Sequence, residues 1–161
     1  MESKDLIIQS LELTPHIEGG YFRRTYESGH TTDNNKRAMS SIYYLLTNDS
    51  PIGFFHQNKS EIIHFFHTGS PIEYTLISPE GKITTQVLGP DLRQGHQFQL
   101  IVREGYWKAS QLLKGSYGLI SESVCPGFEY ADMKIASRQQ MQTSYPALIN
   151  DIEHLIKPSE V

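Results

Sequence analysis

The sequence predicts a mainly β protein with a jelly-roll architecture, in which one helix precedes the strands and another follows them. The 161 residues include 9 Tyr, 7 Phe, 12 Gly and 8 Pro, and this composition favours many strands joined by tight turns. From residue 37 onward, short apolar runs are separated by turn-forming residues at intervals of roughly ten residues, which is typical of sandwiches and barrels. Apolar residues recur at helical spacing only near the two ends.

The first element is a helix predicted over residues 3–13, with Ser3 as its N-cap. Pro15 ends it, because proline disfavours helical geometry in the residue before it. Residues 16–24 form a turn-rich stretch that leads into an extended run. Residues 30–36 are polar and predict an exposed loop.

The central part of the chain predicts a series of short strands. They span residues 39–47, 52–56, 61–67, 72–77, 82–88, 97–103 and 118–124. The clearest hairpin surrounds Ser78-Pro79-Glu80-Gly81, where proline presets the first turn dihedral and glycine supplies a positive φ. Both faces of 61–67 carry large apolar side chains, so we expect this strand to be covered on both sides.

The last predicted element is a helix that starts at Pro146. Its apolar residues recur at helical spacing, and they are Leu148, Ile149, Ile152, Leu155 and Ile156. This length predicts a single domain that spans residues 1–161, with its barrel core at about 15–136. We expect the protein to be cytoplasmic. Between two terminal helices, about eight strands favour a jelly roll over an immunoglobulin sandwich. Such barrels hold a small ligand between their sheets, so we expect functional residues to point inward.

Composition and charge exclude several classes of function. The net charge is −4 and charged residues make up 20% of the chain, so no basic field is available for nucleic acid or an anionic membrane. Cys125 is the only cysteine, which excludes an intramolecular disulfide and a cysteine-rich zinc site. The longest apolar run, residues 42–46, is far too short to span a membrane.

The densest group of polar residues lies at the end of one predicted strand and the start of the next. His56 ends the first strand and Glu61 starts the second, so the two can meet across the connection for proton transfer, metal ligation or substrate binding. The alternative is that they only satisfy a buried turn. His64 and His67 lie on opposite faces of the second strand, where a structural role is the simpler interpretation.

Two further groups are candidates for ligand binding. In the first, the glycines after His16 and Glu18 allow close backbone approach, and Arg23 can pair with a phosphate or carboxylate. Paired glycines are also common in ordinary turns. In the second, Trp107 precedes Lys108 and can line an apolar pocket or lie in the core.

Several sequence blocks occur in a characteristic order along the chain. They are 15–23, 41–46, 55–56, 66–69, 88–92, 94–95, 104–107 and 126–132. Together they resemble the cupin-5 family (DUF985) of the cupin superfamily, and the resemblance extends over about residues 11–146. The resemblance implies a double-stranded β-helix with a central cavity, similar in shape to deoxysugar-nucleotide epimerases, and a homodimer.

This resemblance also raises the question of a metal ion, because many cupins hold one with three histidines and a glutamate. Here the residue two before His56 is Phe54, and Lys108 stands at the place of the last histidine. We therefore expect no metal and no other cofactor. If a divalent metal does bind, His56, Glu61 and His64 are its expected ligands, provided that the strand register turns Glu61 rather than Ile62 inward.

The leading functional hypothesis is a cupin that binds a polar small molecule and isomerises or epimerises it without a metal. A sugar or nucleotide-sugar derivative is the expected substrate class. His56 would be the general base, Glu61 would orient it, and Tyr43 or Tyr130 would donate a proton. The expected ligand-binding residues are His16, Glu18, Arg23, His64, Trp107 and Lys108. The alternatives are a non-catalytic binding or sensor module and a divalent-metal-dependent enzyme.

Overall fold

A computed structural model describes residues 3–159, so residues 1–2 and 160–161 of the predicted domain lie outside the described residues. The strands are β1 (Thr14–Pro15), β2 (Tyr21–Glu27), β3 (Ser40–Thr47), β4 (Ile52–Asn58), β5 (Glu61–Gly69), β6 (Ile72–Ile77), β7 (Ile83–Leu88), β8 (Gln99–Val102), β9 (Trp107–Leu112), β10 (Tyr117–Cys125) and β11 (Met133–Ile135). The helices are α1 (Lys4–Ser10), α2 (Arg138–Ser144) and α3 (Ile149–Ile152), with short 3₁₀ turns at Leu92–Gln94, Tyr130–Asp132 and Glu153–Leu155.

Two antiparallel sheets face each other. One has the strand order β1-β2-β3-β10-β5-β8 and the other β11-β4-β9-β6-β7. This arrangement confirms the predicted mainly β jelly roll with a helix at each end. Because side chains alternate across a strand, the register of each strand decides which residues enter the barrel.

Three apolar clusters hold these layers together. The first fills the space between the sheets and includes Tyr44, Tyr74 and Ile120. The second lies outside the five-stranded sheet, where the C-terminal helices cover it, and the third lies under α1 on the six-stranded sheet. Both sheets are therefore covered on parts of their outer faces. No helix in the range 3–159 combines the length and the apolar character that a membrane crossing requires.

The predicted elements differ from the structure mainly at three places, and the short strands β1 and β11 were not predicted either. The helix α1 ends at Ser10, and Glu12 has a positive φ of 51°, so the chain turns before Pro15. Strand β9 (Trp107–Leu112) was not predicted, because both of its faces are buried and no alternation marks it. The C-terminal helix predicted from Pro146 is the short helix α3 followed by a 3₁₀ turn. The helix α2 before it, which begins after the Ser137 cap, was not predicted.

Candidate functional site

A bulge in β4 places His56 inside the barrel. Between Gly53 and His56 the chain advances three residues while its partner β9 advances only two, so Phe54 and Phe55 together oppose one residue. Phe55 consequently joins the outer cluster, while the next side chain, His56, is buried inside. The Nδ1 atom of His56 lies 2.8 Å from the carbonyl oxygen of Phe54. Since that carbonyl can only accept, Nδ1 carries a proton and Nε2 of the neutral ring is bare.

A glycine turn brings Glu18 next to this ring. Gly19 has a φ of 97°, and a Cβ there would lie 2.1 Å from the carbonyl oxygen of Ile52, so only glycine permits this approach. The turn is attached to the β4 bulge by the amide of Phe54, which donates to the carbonyl of Glu18 at 2.6 Å. Tyr44 donates its hydroxyl to the carbonyl of Gly19 at 2.9 Å. Glu18 is therefore fixed from both sheets.

The carboxyl group of Glu18 lies between two histidine nitrogens that carry no proton. Its Oε2 atom is 3.1 Å from Nε2 of His56 and 3.6 Å from Nδ1 of His16. Nδ1 of His16 accepts the backbone N–H of Glu18 at 3.2 Å, so it carries no proton. A carboxylate would be repelled by these two unprotonated nitrogens. A protonated carboxyl instead donates a hydrogen bond to Nε2 of His56. The geometry therefore favours the neutral acid.

The pKa values of the three groups agree with this assignment. Burial raises the pKa of Glu18 to about 8, against a smaller opposite effect of Lys108. Burial lowers the pKa of His56 to about 3 and that of His16 to about 4, so both imidazoles are neutral at pH 7. The contact between Glu18 and His56 is thus a neutral hydrogen bond that shares one proton rather than an ion pair.

A second polar cluster joins the two sheets beside the first. His64 on β5 is the cross-strand neighbour of Glu122 on β10, and Lys108 on β9 is the cross-strand neighbour of His56. The Nζ atom of Lys108 lies 2.7 Å from Nε2 of His64 and 3.3 Å from Oε1 of Glu122. All three side chains are almost fully buried. The ammonium therefore donates to both neighbours and balances the charge of Glu122.

This second cluster holds the opposite protonation state to the first. Burial opposes ionisation of Glu122, but the ammonium of Lys108 and the ring of His64 outweigh it and lower the pKa of Glu122 well below its usual value. Burial, followed by the charge of Lys108, lowers the pKa of His64. The barrel thus holds two buried carboxyl groups in different protonation states: Glu18 is neutral and Glu122 is ionised. Such a pair is typical of functional sites.

A small cavity, which we call the inner chamber, opens beside both clusters. It is lined by His16, Glu18, Phe22, Arg24, Ile42, His56, Asn58, Ile62, Glu122, Val124 and Phe128. The space that the centre of a water molecule can occupy is about 20 Å³, which is room for about one water. It adjoins an open outer groove of about 560 Å³, lined by Phe22, Arg24, Glu27, Arg37, Phe128, Glu129 and Tyr130.

The structure brings together five of the residues that the sequence predicts for the site. His16, Glu18 and His56 meet at the inner chamber. His64 and Lys108 meet in the neighbouring cluster. His64, for which the sequence alone favoured a structural role, is fully buried and contacts two charged groups.

The predicted contact between His56 and Glu61 is wrong, because Glu61 lies on the outer face of its strand. Glu61 is cross-strand neighbour to the exposed Cys125, its side chain is 57% exposed, and its nearest opposite charge is Arg103 at 3.9 Å. Ile62 takes the inward position and lines the chamber. Glu61 therefore neither contacts His56 nor faces a site that it could share with it, and Glu18 makes the contact with His56 instead.

Three other predicted residues lie on the wrong face of their strands. Arg23 pairs with Glu12 at 2.6 Å outside the barrel, while Arg24 lines the chamber. The other two are Tyr43 and Trp107, which pack in the clusters outside the sheets. Tyr130 does not reach the chamber; it is 55% exposed in the outer groove.

Glu122 is the main functional residue that sequence reasoning missed. It lies in a predicted strand, on the same face as Ile120 and Val124, and a charge on an apolar face is a signal of a buried polar cluster. That signal is visible in the sequence. Tyr44 and Arg24 were missed only because their neighbours Tyr43 and Arg23 were chosen.

The residues present do not fit a divalent metal ion. In the described range 3–159, no group of three or more His, Cys, Asp or Glu side chains is arranged to hold one. The Nζ atom of Lys108 stands between His64 and Glu122, and it occupies the ligand atoms that a metal would use. Two of the three ligands expected for a metal, His56 and His64, are therefore engaged, and Glu61 points away.

The exposed position of Glu61 makes its replacement a mild change. We expect Glu61→Gln to alter the free energy of unfolding by less than about 0.5 kcal/mol, because an exposed carboxylate 3.9 Å from its partner contributes little. Urea denaturation at pH 7 measures this value. A loss of about 2 kcal/mol or more would show that Glu61 has an inward contact after all.

A jelly roll with histidine, carboxyl and ammonium groups buried between its sheets belongs to the cupin class of proteins. The chain is a member of the family described as Cupin superfamily (DUF985), whose sequence pattern matches residues 5–136. This match confirms the resemblance seen in the sequence.

Three relatives show how far the similarity extends. The Saccharomyces cerevisiae protein YML079W is 34% identical over 172 aligned positions, which cover 96% of this chain and 80% of the yeast protein. The crystal structure of protein SO0799 from Shewanella oneidensis is 33% identical, with a TM-score of 0.93 over 99% of this chain and all of that one. A hypothetical protein from Leishmania major is 25% identical, with a TM-score of 0.90 over 98% of this chain and all of that one.

Proposed function

We propose that this protein binds a small polar molecule with its reactive end in the inner chamber and transfers a proton on it, as an isomerase or epimerase. The observation that carries the proposal is the buried carboxyl of Glu18, whose Oε2 lies 3.1 Å from Nε2 of His56. Its pKa of about 8 lies near neutral pH, where one group works well both as acid and as base.

The shared proton defines a balanced reaction. When it passes from Glu18 to Nε2 of His56, the carboxylate removes a proton from a carbon next to a substrate carbonyl, and the C–H electron pair forms the new C=C bond. The imidazolium gives its proton to the carbonyl oxygen, which yields an enediol or enol. Reversal with proton return to the neighbouring carbon, or to the other face of the same carbon, completes isomerisation or epimerisation.

The second cluster supplies fixed charges rather than a proton. Glu122 lines the chamber as a carboxylate whose pKa is too low for an efficient base at pH 7. It accepts hydrogen bonds from substrate hydroxyl groups, while the ammonium of Lys108, which also donates to His64, holds it in place. A hydroxy-carbonyl compound such as a sugar derivative matches this combination of donor and acceptor groups.

The test is hydrogen exchange in D₂O. Wild-type protein is incubated with a panel of hydroxy-carbonyl sugars, sugar phosphates and nucleotide sugars, and mass spectrometry measures deuterium next to the carbonyl. We expect incorporation with one substrate class, a loss of about 100-fold or more in Glu18→Gln, and unchanged rates in the control Glu61→Gln. Equal exchange in Glu18→Gln contradicts the proposal. A compound that binds in the chamber without exchanging supports a non-catalytic binding protein instead.

A further inference from the structure

The junction between the inner chamber and the outer groove is formed by few residues. Within the described part of the chain, Phe22, Arg24 and Phe128 line both spaces. Arg24 is the charged residue among them, so a molecule that reaches from the groove into the chamber passes its guanidinium. The chamber itself holds about one water, so the larger part of any such molecule stays in the groove.

The guanidinium of Arg24 is held in a fixed position at this junction. Its Nη1 donates to Glu27 at 2.6 Å and its Nη2 to the carbonyl of Phe128 at 3.1 Å. Its Cζ atom lies 5.8 Å from the centre of the Phe128 ring, which adds a cation–π contact. Arginine has five N–H donors, so these two hydrogen bonds leave donors for a ligand. The side chain is 37% exposed and accessible from the groove.

A second guanidinium supports the first. Glu27 accepts from Arg24 at one oxygen, and its other oxygen lies 3.3 Å from Nε of Arg37. One carboxylate thus serves two guanidinium groups, and this three-residue unit retains a positive charge. Glu129 also lines the groove and balances its total charge. The position of Arg24 at the junction, rather than the net charge of the groove, therefore makes this a place for an anion.

We infer that Arg24, supported by Arg37, binds an oxyanion, a carboxylate or a phosphate, carried by the substrate close to its reactive end. Paired N–H groups of arginine match the two oxygens of such a group. The inference rests on the proposed function only for the position of the reactive end in the chamber. Binding of the oxyanion itself requires no catalysis.

The sequence provides a matched control for this inference. Arg23 precedes Arg24 on β2, is 38% exposed, and pairs with Glu12 at 2.6 Å, but it lies on the outside of the barrel. Arg24 has nearly the same exposure and the same ion-pair distance. The two variants Arg23→Met and Arg24→Met therefore remove equivalent charges, and only one of them alters the junction.

Calorimetric titrations with inorganic phosphate and with malonate, at constant ionic strength, test the inference. We expect saturable binding of at least one anion to the wild type, weakened about tenfold or more in Arg24→Met and unchanged in Arg23→Met. Arg24→Lys retains the charge beside Glu27 and should weaken binding several-fold, because an ammonium cannot make the paired contact. The anion that binds more tightly identifies which oxyanion the site prefers. Absence of saturable binding, or equal weakening by both methionine variants, overturns the inference.

The exchange assay separates this inference from the proposed function. If the wild type exchanges an uncharged sugar as fast as its phosphorylated or carboxylated counterpart, the anion site is wrong and the proton-transfer function stands. If phosphate or malonate binds through Arg24 but no substrate exchanges, the proton-transfer function is contradicted and the anion site stands.

Discussion

Lys108→Met is expected to lower the free energy of unfolding at pH 7 by about 3–5 kcal/mol. The ammonium lies 3.3 Å from the carboxylate of Glu122 and 2.7 Å from the ring of His64, and all three groups are buried. Methionine fills much of the same space but leaves Glu122 as a buried charge without a counter-ion. Because typical domains have a free energy of unfolding of about 5–15 kcal/mol, this single change removes a large fraction of the stability.

The effect should depend on pH and on the state of Glu122. Without the ammonium, burial raises the pKa of Glu122, so lowering the pH protonates the group and reduces the destabilisation. In the double variant Lys108→Met/Glu122→Gln no charge remains to be buried, and most of the loss should be recovered. Urea denaturation of both variants measures this.

A matched control uses another lysine on a strand. Lys134 lies on β11 and is exposed, so Lys134→Met should change the free energy of unfolding by less than about 0.5 kcal/mol. If Lys108→Met is as stable as the wild type at pH 7, the buried ion pair is contradicted. A double variant no more stable than the single one would show instead that the volume of the lysine, and not its charge, is what matters.

The sequence predicted most strands but not which face each side chain occupies. All seven predicted strands, such as 72–77, match observed ones to within two residues at each end, because alternation and turn residues are local signals. The face depends on register, and a shift of one residue exchanges it. This explains why Tyr43 was chosen in place of the buried Tyr44, which hydrogen-bonds to the Gly19 turn.

The candidate site was predicted only in part. The reason is again that backbone geometry, and not the local sequence, decides which side chains meet. His56 enters the barrel because of the bulge at Phe54 and Phe55, which no local pattern in the sequence marks. Its partner is Glu18, which is far away in the sequence and is brought there by the turn at Gly19. The connection after His56 suggested Glu61 because it is close along the chain. Long-range backbone contacts, rather than proximity in sequence, decide which carboxyl group meets the imidazole.

The shared proton of Glu18 and His56 also predicts how stability depends on pH. In the unfolded chain their pKa values are about 4.5 and 6.5, whereas in the folded protein Glu18 keeps a proton up to about pH 8. Above pH 6.5 the folded pair therefore holds one proton more than the unfolded pair. Stability falls by at most about 1.4 kcal/mol per pH unit in that range, or by about 1 kcal/mol from pH 6.5 to 8, because one of the two groups is half titrated at each end of the range.

The decline in stability at acid pH has a different origin from the decline at alkaline pH. An experiment can therefore separate the two declines. Below pH 6.5 the unfolded chain protonates His16, His56 and His64, whose folded-state pKa values are lowered, so stability falls towards low pH as well. The free energy of unfolding should therefore be largest near pH 6.5. Between about pH 4.5 and 6.5, Glu18 and His56 together hold one proton in both states and contribute no slope.

Glu18→Gln should remove the alkaline decline and steepen the acid decline, because the protonation of His56 in the unfolded chain is then no longer compensated. Its amide can still donate to Nε2 of His56, so the hydrogen bond is kept while the titrating proton is lost. Urea denaturation between pH 5 and 8.5 should show a wild-type loss of about 1 kcal/mol from pH 6.5 to 8, the same loss in Glu61→Gln, and little or none in Glu18→Gln. An alkaline decline that persists unchanged in Glu18→Gln would mean that another group holds the proton, and that Glu18 is ionised at neutral pH.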